Sequence, residues 1–115
     1  MNKYTVILSL VLGSWAISVF GADASSGTYT IDFIRVSDTS GLTYVNPTSD
    51  INVKNSSCTS SDMFAIDKDA ESYRQIYSAL LSAAAASKPV LLWVSTDAND
   101  CLNSRQRITV VQVDF

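Results

Sequence analysis

The chain has no histidine among its 115 residues. The Ser-His-Asp triad, the Cys-His pair and histidine-ligated zinc all need an imidazole, so these catalytic and metal centres are excluded. A glycine-rich phosphate loop is also missing. The lysines and arginines are scattered and the net charge is −3, which argues against nucleic acid or an anionic membrane as a partner. We therefore predict a protein that is not an enzyme and uses no cofactor.

Two pairs of carboxylates are the remaining candidates for catalysis or cation binding. Asp67 with Asp69, and Asp97 with Asp100, could in principle form the acid pair of a glycosidase. Each pair lies in a short polar segment, where helix capping or turn formation explains it better. Asp97, Asn99 and Asp100 could also offer oxygen ligands to calcium. The segment lacks the glycine and final glutamate of an EF-hand, so a solvated loop is the favoured interpretation.

The N-terminal residues 1–24 have the pattern of a cleaved secretory signal. Lys3 is followed by an almost uncharged apolar run over residues 6–20. A small-x-small site favours cleavage after residue 24, and cleavage after Gly21 is the alternative. A transmembrane anchor is disfavoured because the run is short and no basic flank follows. The pattern predicts a single secreted or periplasmic domain over residues 25–115, with no membrane span after cleavage.

The two cysteines, Cys58 and Cys101, both belong to this exported part. An oxidising compartment favours a disulfide between them. Closing a loop of about 43 residues would stabilise the fold by roughly 4 kcal/mol on the chain-entropy model. The alternative, a metal site, would need unusual ligands, since there are only two thiols and no histidine.

A long amphipathic helix is predicted between Asp67 and Pro89. Asp67 or Asp69 could cap its N-terminus, and Pro89 stops it because the residue before a proline avoids the α region. At 100° per residue one apolar stripe forms and is expected to face the core. The stripe consists of Tyr73, Ile76, Tyr77, Leu80 and Ala84, with Leu81 close by, and Glu71, Gln75, Ser78 and Ser82 lie opposite.

Alternating and continuous apolar runs predict strands around this helix. The expected strands cover residues 28–37, 42–45, 51–53, 63–66, 90–94 and 107–115, with 51–53 either a third strand or the end of a broken second one. Phase changes in the first and last strands indicate β-bulges. The 90–94 run is apolar on both faces and is expected to be covered on both sides, which makes Trp93 a core residue rather than a sugar platform. Tyr29 and Tyr44 are less constrained and could be exposed.

The order of these elements predicts an α+β, mainly β fold. Strands with bulges and one long helix between strands 3 and 4 match a five-stranded OB-fold-like barrel with one disulfide. Another small α+β arrangement, with a helix across an antiparallel sheet, is the alternative.

The second half of the chain also carries a family resemblance. A strand and capped helix over residues 64–86, then Lys88-Pro89-Val90, a cysteine and a final Arg-Ile-x-Val strand resemble small exported bacterial proteins of unknown function. In element order and single disulfide these are similar to the B subunits of pentameric bacterial toxins. The resemblance implies an OB-type domain, self-association, and binding of a glycan or cell-surface ligand. No local motif matches the sugar-binding residues of the toxin family.

A ligand surface is expected on the polar loop after the 90–94 strand, because OB-folds bind through the loops between strands. The alternative is a polar loop without a ligand. The candidate ligand-binding residues are Asp97, Asn99, Asp100, Asn103 and Arg105. Asn55-Ser56-Ser57 fits a glycosylation sequon, for which a chance match is the alternative.

Three functional classes follow from these patterns. The first is an exported non-enzymatic domain, similar to a toxin B subunit, that binds a glycan or cell-surface ligand. The second is an assembly protein that forms homo-oligomers without a small ligand. For this class, Ala79, Ala83 and Ala86 form a small-residue strip where another helix could approach, although helix propensity explains alanines equally well. A small secreted hydrolase or inhibitor is the third and least supported class.

Overall fold

The computed structural model describes residues 23–114, which form eight strands and one helix. Residues 1–22 of the predicted signal lie outside the described residues. Asp23 and Ala24 are paired in the first strand with Ser95 and Val94, so cleavage after Gly21 would leave that strand whole. The elements in chain order are β1 (Asp23–Tyr29), β2 (Ile31–Val36), β3 (Leu42–Pro47), β4 (Phe64–Asp67), α1 (Tyr73–Ala85), β5 (Val90–Ser95), β6 (Cys101–Leu102), β7 (Arg105–Gln106) and β8 (Ile108–Val113).

The strands form three small antiparallel sheets. Sheet A has the order β1-β5-β8, sheet B has the order β2-β3-β4, and β6 pairs with β7 in a hairpin. Only Thr30 separates β1 from β2, so one extended run of chain passes from sheet A to sheet B. An isolated parallel bridge joins Ala65 to Arg107.

The prediction of a five-stranded OB-fold-like barrel is wrong, because the strands divide into three small sheets and none of them closes. Two local features explain the error. The predicted first strand is divided at Thr30 between two sheets, and the predicted strand at residues 51–53 makes no sheet pairing. The disulfide between Cys58 and Cys101, which was part of the same prediction, is confirmed.

Helix α1 is shorter than predicted, with 13 residues. It begins at Tyr73 after Ser72, which makes no side-chain capping hydrogen bond. Asp67 cannot cap it because this residue ends β4, and its carboxylate accepts a hydrogen bond from the backbone N–H of Asp69 at 3.0 Å. The helical phase is correct for Leu80, which is fully buried.

The predicted stripe is wrong at its margin. Leu81 is 43% exposed rather than packed. Ala83, one turn beyond Ala79, is fully buried in the domain core, whereas Ala86 is exposed. The small-residue strip on the helix is therefore not a continuous free surface.

The main core lies between the inner face of sheet A, strand β4 and the buried side of α1. Its fully buried side chains include Phe64, Ile66, Leu80, Leu92 and Ile108. Tyr29 meets Phe64 edge-to-face, with ring centroids 5.2 Å apart, an arrangement that aromatic pairs favour.

The long connection between β3 and β4, residues 48–63, is held by side chains instead of a sheet ladder. The side-chain oxygen of Gln106, itself buried, accepts hydrogen bonds from two successive backbone N–H groups, those of Lys54 at 2.8 Å and Asn55 at 3.0 Å. Buried backbone donors need such partners, so one side chain does here what a paired strand would otherwise do.

Register shifts occur in β1, between Ser25 and Gly27, and in β2 and β8. Trp93 pairs with Val110 and the next residue of β5 pairs with Ile108, so Thr109 has no partner opposite it. In β2 the shift falls at Asp32, and Phe33 beyond it turns outward, 37% exposed. Between residues 23 and 114, no helix is both long enough and apolar enough to cross a membrane.

Candidate functional site

The first half of the predicted ligand loop is a tight turn that follows β5. The Asp97 carbonyl accepts the backbone N–H of Asp100 at 3.0 Å, and the Asp97 carboxylate accepts that of Asn99 at 3.0 Å. Asp97 thus caps its own turn, in the manner of an Asx turn. The Asn99 side chain is exposed to solvent.

Asp100 belongs to an internal ion pair rather than to an open loop. Its carboxylate lies 2.6 Å from an Arg107 Nη, and each side chain is about two-thirds buried. The hydrogen bond from Arg107 lowers the pKa of Asp100 below its usual value, and a hydrogen bond from Ser95 adds to this. Across residues 23–114, no three acidic, cysteine or histidine side chains are grouped so as to hold a metal ion.

The second half of the loop is the β6–β7 hairpin. Its two turn residues, Asn103 and Ser104, have φ of 47° and 67°. Two successive residues with positive φ form the type I′ turn that fits the twist of a hairpin. The Asn103 amide donates to the hydroxyl of Tyr44 at 3.1 Å, so this side chain anchors the hairpin to sheet B.

Arg105 is also held within the domain. Its Nε and Nη2 atoms lie 2.9 and 2.8 Å from the two carboxylate oxygens of Asp62, a bidentate pair. The guanidinium lies over the ring of Tyr44, 5.2 Å from the centroid. The hydrogen bond from Arg105 lowers the pKa of Asp62 below its usual value. The predicted residues therefore divide between two networks, and ligand binding by this loop stays a prediction.

The disulfide and a buried amide fasten this loop to the 48–63 connection. Cys58 and Cys101 are joined with Cα atoms 5.3 Å apart. The Asn55 amide donates to the carbonyls of Ser95 at 3.0 Å and Asp97 at 2.8 Å, and Asn55 is only 3% exposed. The sequon asparagine is thus a structural residue in the folded domain, with its nitrogen already engaged.

An uncovered surface lies on the opposite side of sheet A from the core. Trp93 stands on the central strand of this sheet and is 38% exposed, while its neighbours Leu92 and Val94 are fully buried. The expectation that β5 is covered on both faces, with Trp93 in the core, is therefore wrong. We define the outer face of sheet A as Ser25, Thr28, Leu91, Trp93, Val110 and Gln112, which share one side of the sheet by pairing register.

The outer face has an aromatic centre and polar flanks. Ser25 and Val110 lie directly across from Trp93 on the two neighbouring strands. Thr28 and Gln112 lie across from Leu91, two positions along the same face. Except for the half-buried Leu91 these side chains are all exposed. An indole on the middle strand of a sheet is held stiffly and can stack on a flat apolar ligand surface.

A second surface feature is a cleft of about 250 Å³ between the β2–β3 turn, the residue after β4 and the start of α1. Its lining residues are Val36, Ser37, Asp38, Gly41, Leu42, Thr43, Lys68 and Tyr73. The Thr43 hydroxyl is hydrogen-bonded to that of Tyr73 at 2.8 Å, and the ring of Tyr73 stacks on Tyr77 with centroids 5.6 Å apart. Strand β3 and helix α1 are thereby joined at the bottom of the cleft.

Comparison with protein-family models, with curated proteins and with solved structures finds no match for this chain. The function is therefore inferred from the geometry of residues 23–114.

Both surfaces were missed at the level of sequence. Residues 90–94 of β5 are all apolar, so this run does not indicate which face of the strand is open. The exposed residues of β1 and β8 beside it become informative only once the strand register is known. Asp38 and Gly41 line the cleft together with Lys68, which lies about 30 residues later in the sequence. The pairing of Leu42 with Asp67 brings them together, and no local pattern indicates that pairing.

Proposed function

We propose that this protein is an exported, non-catalytic recognition domain that binds a sugar of a glycan or cell-surface ligand on the outer face of sheet A. The observation that carries the proposal is the exposed indole of Trp93 at the centre of a rigid sheet, with hydroxyl and amide side chains around it. Export is supported by the predicted signal and by the disulfide between Cys58 and Cys101.

The mixture of groups on this face suits a sugar. One side of a pyranose ring presents C–H groups that stack on an indole, while its hydroxyls need hydrogen-bonding partners at the ring edge. Ser25, Thr28 and Gln112 supply such partners beside Trp93. The large exposed apolar side chains on the face are Trp93 and Val110. Two such side chains offer far less surface than the roughly 800 Å² that each partner buries in a stable protein interface.

Residues 64–113 resemble small exported bacterial proteins that are similar in turn to toxin B subunits, and this untested resemblance is a reason to choose glycans as the first ligands to test. Self-association, which the same resemblance implies, is a separate expectation. The small-residue strip of α1 is a poor surface for it because Ala83 is buried. Light scattering after size-exclusion chromatography measures the oligomeric state directly, independently of any ligand.

A glycan array with the wild-type protein and two matched aromatic variants tests the proposal. Trp93→Ala should abolish the signal on the glycans that the wild type binds, with folding unchanged by circular dichroism. Phe33→Ala removes an aromatic of nearly equal exposure from the other sheet and should bind as the wild type does. Equal loss in both variants, or no loss in Trp93→Ala, would show that this face is not the site.

The loop of the sequence prediction is tested on the same array. Alanine at Asp97, Asn99 and Asn103 together should leave binding unchanged if the outer face of sheet A is the whole site. A loss of binding in this triple variant, with Trp93→Ala still active, would move the site to the loop.

A further inference from the structure

The cleft beside the β2–β3 turn is lined by one positive and one negative side chain. Lys68 and Asp38 both contribute to its wall, and within residues 23–114 neither belongs to an ion pair. The two residues are 30 positions apart and arrive from different elements. Their charges are therefore available to a ligand rather than neutralised within the protein.

Lys68 is positioned by a close approach to Gly41. This glycine has φ of 70°, and a Cβ built on it would lie 3.4 Å from Cε and 4.0 Å from Nζ of the lysine. The lysine side chain thus lies across the one residue of the turn that lacks a side chain. These are ordinary van der Waals distances, so it is the positive φ, and not a lack of space, that would strain any other residue at this position.

The rest of the cleft is apolar with a few hydroxyl groups. Val36, Leu42 and the ring of Tyr73 form apolar walls, and Ser37 and Thr43 add hydroxyls. Ser37 already accepts the backbone N–H of Ser40 at 3.3 Å, and Thr43 is bonded to Tyr73. The hydroxyls are thus partly engaged, whereas the ammonium and the carboxylate are the unpaired polar groups of the cleft.

We propose that this cleft binds a small zwitterion of the amino-acid class, with its carboxylate against Lys68, its ammonium against Asp38 and an apolar side chain between Val36, Leu42 and Tyr73. This is a site separate from the outer face of sheet A and independent of sugar binding there. A simple anion in the cleft is repelled by Asp38, and a simple cation by Lys68. Both side chains are exposed and a neutral ligand leaves their charges to solvent, whereas a ligand with one charge of each sign can engage both.

Titration with three related ligands tests the assignment. Binding is monitored by calorimetry and by the NMR shifts of the backbone amides in residues 36–43. L-Leucine keeps both charges, N-acetyl-L-leucine lacks the ammonium, and L-leucinamide lacks the carboxylate. Wild-type protein should bind leucine at least about tenfold more tightly than either derivative, because each loses one charge-assisted hydrogen bond. The shift changes should centre on the cleft.

Charge-removing variants then link each ligand group to its residue. Asp38→Asn should abolish the preference for leucine over N-acetyl-leucine but keep the preference over leucinamide. Lys68→Met should abolish the preference for leucine over leucinamide but keep the preference over N-acetyl-leucine. Lys88→Met and Asp50→Asn remove exposed charges outside the lining and should change neither preference. Circular dichroism of all four variants checks that they are folded.

Three results would overturn the proposal. The first is equal affinity for leucine and both derivatives, and the second is no binding of leucine by the folded wild-type protein. The third is a response to glucuronate without one to leucine, which would assign the cleft to an acidic sugar instead.

Discussion

At the scale of single residues, Gln106 carries an unusual share of the fold's hydrogen bonding. Its side-chain oxygen is the acceptor for the backbone N–H groups of both Lys54 and Asn55 in a connection that has no strand partner. Gln106→Ala would leave the buried N–H of Asn55 and the part-buried N–H of Lys54 without this acceptor, and should lower the free energy of unfolding by about 2–4 kcal/mol. Urea unfolding measures this.

The matched control for that substitution is Gln112→Ala. Gln112 is exposed on the outer face of sheet A, and its amide donates a hydrogen bond to the carboxylate of Asp114 at 3.2 Å. This variant should change the free energy of unfolding by less than about 0.5 kcal/mol. Similar losses in the two glutamine variants would mean that Gln106 does not hold the connection.

The two ion pairs predict how stability depends on acidity. Arg107 and Arg105 lower the pKa values of Asp100 and Asp62 in the folded protein below the usual 3.8. A carboxylate with a lowered folded-state pKa stabilises the fold fully above its unfolded-state pKa, and this contribution disappears as the pH falls through the folded-state pKa. The free energy of unfolding should therefore decrease when the pH is lowered below about 4.

Asp100→Asn should weaken that dependence on pH. The variant should be less stable than the wild type at pH 7, and the difference should narrow as the pH falls below about 4. Asp50→Asn changes an exposed carboxylate with no ion pair among the described residues and should leave the pH profile as it is. Thermal melts across the pH range give the comparison. A constant gap between wild type and Asp100→Asn at every pH would contradict the role of the pair.

At the scale of elements, α1 shows how strongly one face of a helix is tied to the core. Leu80 is fully buried among core side chains, whereas the adjacent Leu81 is 43% exposed. Leu80→Ala should lower the free energy of unfolding by about 2–5 kcal/mol. Leu81→Ala makes the same chemical change and should cost about 0.5 kcal/mol or less. Chemical denaturation of both variants checks the helical phase, which equal losses would contradict.

The helix and several strands were predictable because their patterns are local. The 3.6-residue stripe indicates α1 and its buried Leu80, and short apolar runs indicate β3, β4 and β5. The start of the helix was not predictable from capping residues, since Asp67 is used by β4 and Ser72 makes no side-chain cap. The β6–β7 hairpin has two residues in each strand, which is too few for any periodicity.

The surfaces that matter for function were less predictable than the elements. Trp93 lies in a run that is apolar throughout, and such a run fits a strand buried on both faces equally well. The strand pairing places Trp93 beside Ser25 and Val110, and the exposure of Trp93 and Val110 shows that this face of the sheet is open. The loop at residues 97–105 was correctly predicted to be tied by Cys101. Two of its charged residues, Asp100 and Arg105, are paired with Arg107 and Asp62, which lie outside it.

At the scale of the whole molecule, the disulfide joins two segments with little regular structure. Cys58 lies in the connection between β3 and β4, and Cys101 begins the β6–β7 hairpin. Replacing both with serine should lower the free energy of unfolding by up to roughly 4 kcal/mol, mainly by freeing the unfolded chain. Denaturation of the double variant measures the loss. Adding a reductant should lower the stability of the wild type and not that of the variant. Two free thiols in the wild-type protein, detected by mass spectrometry, would contradict the pairing.

The central claim is that the outer face of sheet A binds a sugar through Trp93, and tryptophan fluorescence tests it most directly. The chain has two tryptophans, and Trp15 lies in the predicted signal, so Trp93 would be the sole indole in a protein that begins at residue 22 or later. Addition of a glycan found on the array should shift the emission of Trp93 and protect it from acrylamide quenching, with the same midpoint as binding measured by calorimetry. Calorimetric binding that leaves both the emission and the quenching of Trp93 unchanged would contradict the account.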